Sequence, residues 1–218
     1  MKKKQVLIVD DHPIVREGLK QVLLQDDSLL VCDEAEDMQS AIECVEIHQP
    51  DIAIVDLTLK KSSGLDLVKE FSSRWPKLKT LVLSIHDESI YAERALRAGA
   101  NGYIMKQQAM INILDAVHNV LDGELYVSDA VSKRLLHNIK GGNFSTEDYG
   151  VSLLSNRELQ VFQLYGQGKK TRAIADELNI SVKTVESHRE HIMEKLNLSD
   201  SMEMIRMAVE FMVTENPL

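Results

Sequence analysis

The chain has 218 residues, 44% of them hydrophobic, and a net charge of −9. That length has room for one large or two modest domains, and the apolar share is enough for proper cores. No apolar run is long enough to span a bilayer, and the acidic balance argues against indiscriminate polyanion binding. After the basic Met1-Lys2-Lys3-Lys4 only Val6 to Val9 are apolar before Asp10, too short a run for a secretory signal. Cys32 and Cys44 lack metal-ligand spacing and read as reduced thiols of a cytoplasmic protein.

Residues 1–122 alternate strand-like and helix-like runs. Strands are expected at Gln5–Asp10, Leu29–Cys32, Ile52–Asp56, Lys79–Ser84 and Gly102–Met105. Each is followed by a helical pattern, such as Leu65, Leu67, Val68 and Phe71, and the last ends near Gly123. Five βα units predict a doubly wound parallel sheet. Its third strand, Ile52-Ala53-Ile54-Val55, is apolar enough to be buried on both faces.

Parallel strands deliver their carboxyl ends to one edge of the sheet, where such folds bind ligands. Asp10 and Asp11, Asp56, Ser84 and Lys106 stand at or just beyond those ends. Three carboxylates held together need a cation, and oxygen donors favour Mg²⁺, which suits phosphate chemistry. A phosphoryl group on Asp56 would be neutralised by the metal and Lys106, with Ser84 donating to one oxygen. The plainer reading, separate loop caps, leaves the lysine and the hydroxyl as coincidence.

With "VLIVDDHPIVREGL", "PDIAIVDLTL", "LVLSIHD" and "RAGANGYIMK", residues 4–122 resemble the receiver domain of two-component response regulators. The resemblance implies a flavodoxin-like fold and a phosphoacceptor, Asp56, served by a sensor histidine kinase. It also implies Mg²⁺ on Asp11, Asp56 and the carbonyl of Thr58, with Asp10 acting through water. Ser84, Tyr103 and Lys106 would read the phosphorylated state. Gln107 replaces the family's usual proline, and Leu59-Lys60-Lys61-Ser62-Ser63-Gly64 a commoner methionine-proline loop.

Residues 123–152 read as a linker with a helix near 128–139, carrying Ser128 as N-cap and Val131, Leu135, Leu136 and Ile139 on one side. Gly141-Gly142-Asn143 through Gly150 suits a flexible tether.

Residues 153–218 predict four short helices. Ser155-Asn156-Arg157-Glu158 is a capping box with Leu154 and Leu159 at the staple positions. A second helix runs from about Thr171 to Leu178, Asn179 suits the turn, and Ser181 caps a third carrying Val182, Val185, Ile192 and Leu196. The fourth spans Ser201 to Val213. Two short helices about a tight turn make a helix-turn-helix or an ordinary bundle. Lys169, Lys170, Arg172, Lys183, Arg189 and Lys195 gather on its central helices, where phosphates would pass, although the whole segment holds eight basic against ten acidic side chains.

This segment resembles the LuxR-type helix-turn-helix in "LSNREL" and "ISVKTVESH", and the full pairing resembles the NarL/FixJ class. The resemblance implies an α/β receiver joined to an all-α output domain that binds double-stranded DNA. Lys170, Thr171, Ser181, Lys183, Thr184, Val185, His188 and Lys195 would lie at the DNA surface, while Glu186, Ser187 and Glu190 face bases. Met202, Ile205, Met207 and Val209 are candidates for pairing a phosphorylated homodimer. Two other readings compete with this one. A haloacid-dehalogenase-like phosphatase needs an aspartate at position 58, which is threonine. A phosphoryl sink or protein-binding module without DNA binding draws on the acidic balance and the two recognition-helix glutamates.

Overall fold

The computed structural model describes residues 3–59, 62–139 and 150–215. The chain divides into two units, Met1–His137 and Asn138–Leu218. Lys60-Lys61 and the tether at 141–149 lie outside the described residues.

In the first unit, strands β1 (Lys4–Val9), β2 (Leu29–Ala35), β3 (Ile52–Asp56), β6 (Lys79–Ser84) and β7 (Gly102–Met105) form one sheet in the order β2-β1-β3-β6-β7. All four pairings are parallel. The chain reverses its direction of travel across the sheet between β1 and β3, which makes their carboxyl ends the expected ligand edge. Helices α1 (Pro13–Leu23), α2 (Met38–His48), α3 (Gly64–Arg74) and α4 (Glu88–Ala98) supply the crossovers, and α5 (Lys106–Leu121) follows the last strand. Alternate strand residues (Val6 and Ile8, Ile52 and Ile54, Leu81 and Leu83) share one core cluster with Leu19 and Leu23 of α1 and Ile113, Val117 and Val120 of α5.

Local sequence explains the element ends. Pro13 opens α1 with its preset φ. Asp37 and Ser40 form a capping box on α2. Gly99 ends α4 at φ +109, where an added Cβ would also lie 2.3 Å from Ser72 Oγ.

Two features differ from expectation. The segment after β3 forms a small antiparallel hairpin, β4 (Thr58–Leu59) with β5 (Ser62–Ser63). The part of the expected linker from Gly123 to His137 belongs to the first unit. Tyr126 forms a parallel bridge to Gly102 and accepts from the Tyr103 amide at 2.8 Å. Ser128 Oγ accepts from the Val131 amide and donates to Glu88 at 2.6 Å, starting α6 (Asp129–Ile139) with Val131 buried. Residue 122 therefore ends α5 without ending the packed body: the open edge of β7 takes one more segment.

The second unit starts with a 3₁₀ turn, Val151–Leu153, followed by α7 (Asn156–Gly166), α8 (Thr171–Glu177), α9 (Val182–Lys195) and α10 (Ser201–Glu215). The Ser155–Glu158 capping box is closed in both directions. Asn179 takes φ +55 in the turn between α8 and α9. Leu159, Phe162, Ile174, Val185, Ile192, Met204 and Ala208 fill the core. Gly166 lets α7 approach α10 closely, since a Cβ there would meet the Ala208 carbonyl oxygen at 2.6 Å.

Candidate functional site

The strand ends bring the expected groups together. Asp10 is fully buried beyond β1, Asp56 is 2% exposed at the end of β3, and Ser84 is fully buried at the end of β6. Lys106, first residue of α5, places Nζ 2.7 Å from Asp10 Oδ2 and 2.9 Å from Asp56 Oδ2. One ammonium thus bridges carboxylates 96 and 50 residues away in sequence. Burial pushes the Asp56 carboxyl above its usual range, opposed by the hydrogen bond from Lys106 and aided by the nearby Asp10 charge. Burial alone would lower Lys106, but its bonds to both aspartates outweigh that and hold it above its ordinary value. The lysine stays charged, and the two acids compete for it.

The arrangement is short of positive charge. Asp10, Asp11, His12 and Asp56 each offer a ligand atom, all within 4.8 Å of one another. Asp11 Oδ1 is buried without a hydrogen bond; His12 Nδ1 lies 2.9 Å away but not in hydrogen-bonding geometry. An orphaned carboxylate oxygen between two further acids fits a hard divalent cation.

The rest of the pocket forms a connected frame. Thr58 donates its amide to Asp56 Oδ1 at 3.3 Å, and its Oγ1 lies 3.1 Å from His86 Nε2. Ser84 Oγ accepts from the His86 amide at 2.9 Å. Tyr103 is 2% exposed, and its hydroxyl donates to the His86 carbonyl at 2.8 Å. His12 and His86 were not singled out from sequence; their only signal was adjacency to the acidic pair and to the β6 terminus.

In the second unit Ser181 caps α9, its Oγ accepting from the Thr184 amide at 3.1 Å and lying 2.8 Å from Thr184 Oγ1. Lys170, Lys183, Thr184, Glu186, Ser187 and Glu190 are exposed, Thr171 and His188 partly so. One expectation needs correction. Val185 is fully buried in the core and cannot touch DNA; it shares the inward face of α9 with Ile192, one heptad on. Lys195, itself exposed, is engaged by Glu158 at 2.6 Å, a carboxylate with 6% side-chain exposure, and so fastens α9 to α7. On α10, Met202 and Val209 are exposed and Ile205 and Met207 partly buried, while Met204 and Ala208 point into the core.

Comparison with known proteins agrees with both units. Residues 6–118 match the family described as response regulator receiver domain. Residues 152–208 match that described as bacterial regulatory proteins, luxR family. The oxygen regulatory protein NreC of Staphylococcus carnosus is 35% identical over 210 residues, covering 94% of this chain and 97% of the relative. The transcriptional regulatory protein DegU of Brevibacillus brevis is 33% identical, covering 91% and 89%. Among solved structures, RcsB from Salmonella enterica serovar Typhimurium, bound to a promoter with phosphomimetic BeF₃⁻, is 28% identical with a TM-score of 0.71 over 96% of this chain and all of that one. With receiver and LuxR-type units both matched, in this order and over nearly the full length of its relatives, the chain belongs to the NarL/FixJ class of two-component response regulators, a family of phosphorylation-dependent transcription regulators.

Proposed function

We propose that Asp56 is the phosphoacceptor and takes its group from a sensor histidine kinase in the cytoplasm. The observation that carries this is the Lys106 ammonium bridging Asp10 and Asp56 beside the orphaned oxygen of Asp11. An Asp56 oxygen attacks phosphorus, the phosphorus–nitrogen bond of the phosphohistidine breaks, and the imidazole leaves with a proton. Lys106 holds one Asp56 oxygen, directs the other outward and faces the charge that accumulates. Asp11, Asp56 and the Thr58 carbonyl would hold Mg²⁺, with Asp10 acting through water, and the ion would supply charge to neutralise phosphoryl oxygens. The covalent chemistry of this chain is then confined to its own phosphorylation and dephosphorylation.

The phosphoryl group adds about −1.5 to −2 charges at one point. Ser84 and the Tyr103–His86 contact report it to the β6–α4 segment, and through Glu88 to Ser128 at the start of α6. Without it, the output unit stays in a state that does not bind DNA productively. With it, the chain pairs through the exposed side of α10 and binds double-stranded DNA through α9 on two half-sites. The basic residues Lys170 and Lys183 on the exposed surface favour this reading over a phosphoryl sink, which the glutamates at 186 and 190 support. Anisotropy titrations of genomic fragments, with and without BeF₃⁻ and with Asp56→Ala, decide. Tighter, salt-sensitive binding in the BeF₃⁻ state alone is expected; equal affinity in both states refutes the coupling, and salt-insensitive binding favours the sink.

A further inference from the structure

The peptide that joins the two acids of the site has its own holder. Arg16, in the second turn of α1, reaches back to the end of β1, where Nη1 donates to the Asp10 carbonyl oxygen at 2.6 Å. That carbonyl belongs to the Asp10–Asp11 peptide, so fixing its direction fixes the plane from which the Asp11 side chain departs. Arg16 is 16% exposed, and its Nε donates to Glu34 Oε2 of β2 at 3.2 Å. Lys20 holds the other oxygen of Glu34 at 2.8 Å. Neither Arg16 nor Glu34 touches Asp56, yet together they tie α1 and β2 to the turn carrying two of the three acids. A guanidinium suits this task because its planar fork serves a carbonyl and a carboxylate at once.

We infer that Arg16, held by Glu34, is a positioning residue that sets the Asp10–Asp11 turn for divalent-cation binding. The inference rests on the proposed reading of the acidic cluster as a cation-assisted phosphoacceptor site. The Asp11 oxygen is buried and accepts no hydrogen bond, with only the His12 imidazole beside it, and releasing the peptide lets Asp11 swing toward solvent or a local amide. Groups that orient metal ligands from behind typically account for about 10–100-fold in metal affinity.

The test is calorimetric titration of the full chain with MgCl₂ alone, comparing wild type, Arg16→Gln, Glu34→Gln and Asp11→Asn. Arg16→Gln is expected to weaken Mg²⁺ binding about 10–100-fold, and Glu34→Gln in the same direction by less, since it loosens Arg16 without removing it. The rise in melting temperature that Mg²⁺ confers shrinks in step, a readout that a merely structural arginine leaves unchanged. Wild-type affinity in folded Arg16→Gln overturns the inference while leaving the site's reading intact. Should Arg16→Gln fail to fold, unchanged affinity in Glu34→Gln overturns it equally. If wild type and Asp11→Asn both fail to bind, the reading of the site itself falls and the inference with it.

Discussion

Gly64→Ala tests how tightly the phosphoacceptor is framed. Gly64 is the first residue of α3, and a Cβ built on it lies 2.1 Å from the Asp56 carbonyl oxygen, 2.8 Å from Leu57 Cα and 2.9 Å from the Leu57 carbonyl oxygen. All three are main-chain atoms, so no rotamer change relieves the overlap. The helix start must retreat from the end of β3 by about 1 Å, which also stretches the 2.9 Å bond from the Gly64 amide to the Leu57 carbonyl. Overpacking of this kind costs about 1–3 kcal/mol and a weakened buried hydrogen bond about 1 more, for a total of about 3. With a urea slope of about 2 kcal/mol per M, the unfolding midpoint falls by about 1.5 M. The chain's single tryptophan, Trp75, caps the far end of the same helix and packs edge-on against Phe71, so its fluorescence reports the first unit alone. Displacing Asp56 by about 1 Å also slows phosphorylation by a small-molecule phosphodonor about 100-fold. Gly123→Ala is the control. Its Cβ meets nothing within 4 Å, so only its φ of +92 is penalised, by about 1–2 kcal/mol, and phosphorylation is untouched. A Gly64→Ala protein with wild-type midpoint and phosphorylation rate refutes the framing.

Further expectations concern the output unit. Lys183→Ala lowers DNA affinity and reduces the salt slope by about 1, whereas Lys195→Ala leaves the slope nearly unchanged and destabilises the unit by about 1–3 kcal/mol through the stranded Glu158; anisotropy against salt and thermal melting separate the two. Glu186→Gln and Glu190→Gln bind DNA more tightly at low salt, with curves converging on wild type as salt rises, if those side chains stand near phosphates. Ser155→Ala removes the cap of α7 and costs about 1 kcal/mol in far-UV melting. Burial raises the Glu158 carboxyl, but hydrogen bonds from Lys195 and the Ser155 amide outweigh it and leave it below 4.5. Because the folded value is the lower one, its stabilisation is complete above about 4.5 and lost as pH falls through the folded value. Lys195→Ala flattens that acid limb of the melting profile.

The sheet and the site were legible in the sequence for one reason: β1, β3, β6 and β7 each end in, or run directly into, a polar residue after an apolar run, and parallel strands share an edge. Asp10, Asp56, Ser84 and Lys106 could be brought together without knowing a single contact. What the sequence concealed was contact made through the main chain. The Arg16 bond ends on a carbonyl, the bridge of Tyr126 to β7 is made by backbone atoms, and neither bond leaves a pattern of side-chain types. The hairpin at Thr58–Ser63 has strands of two residues, too short for periodicity to register. Val185 was assigned outward though its spacing to Ile192 is that of a buried face, and the helical period was the better guide. Lys195 shows a different limit: an exposed basic residue on the expected helix is held by a buried carboxylate 37 residues away, and spacing along one helix cannot reveal such a partner.

These placements bear on how the proposed switch works. With Lys195 engaged by Glu158 and Val185 in the core, the exposed surface of α9 sets Lys183 and the already paired Lys195 against Glu186, Glu190 and Glu194. Each phosphate contact contributes about 0.9 to the salt slope, so one such helix with few cations holds DNA weakly. Joining two weak half-site binders raises avidity by about 10²–10⁴ without any new contact. A recognition helix of this composition therefore makes occupancy depend on pairing more than on its own affinity. The acidic residues that count against DNA binding in a sum over the chain become, on this reading, what keeps an unpaired copy off the DNA and leaves the decision to the phosphoryl group on Asp56.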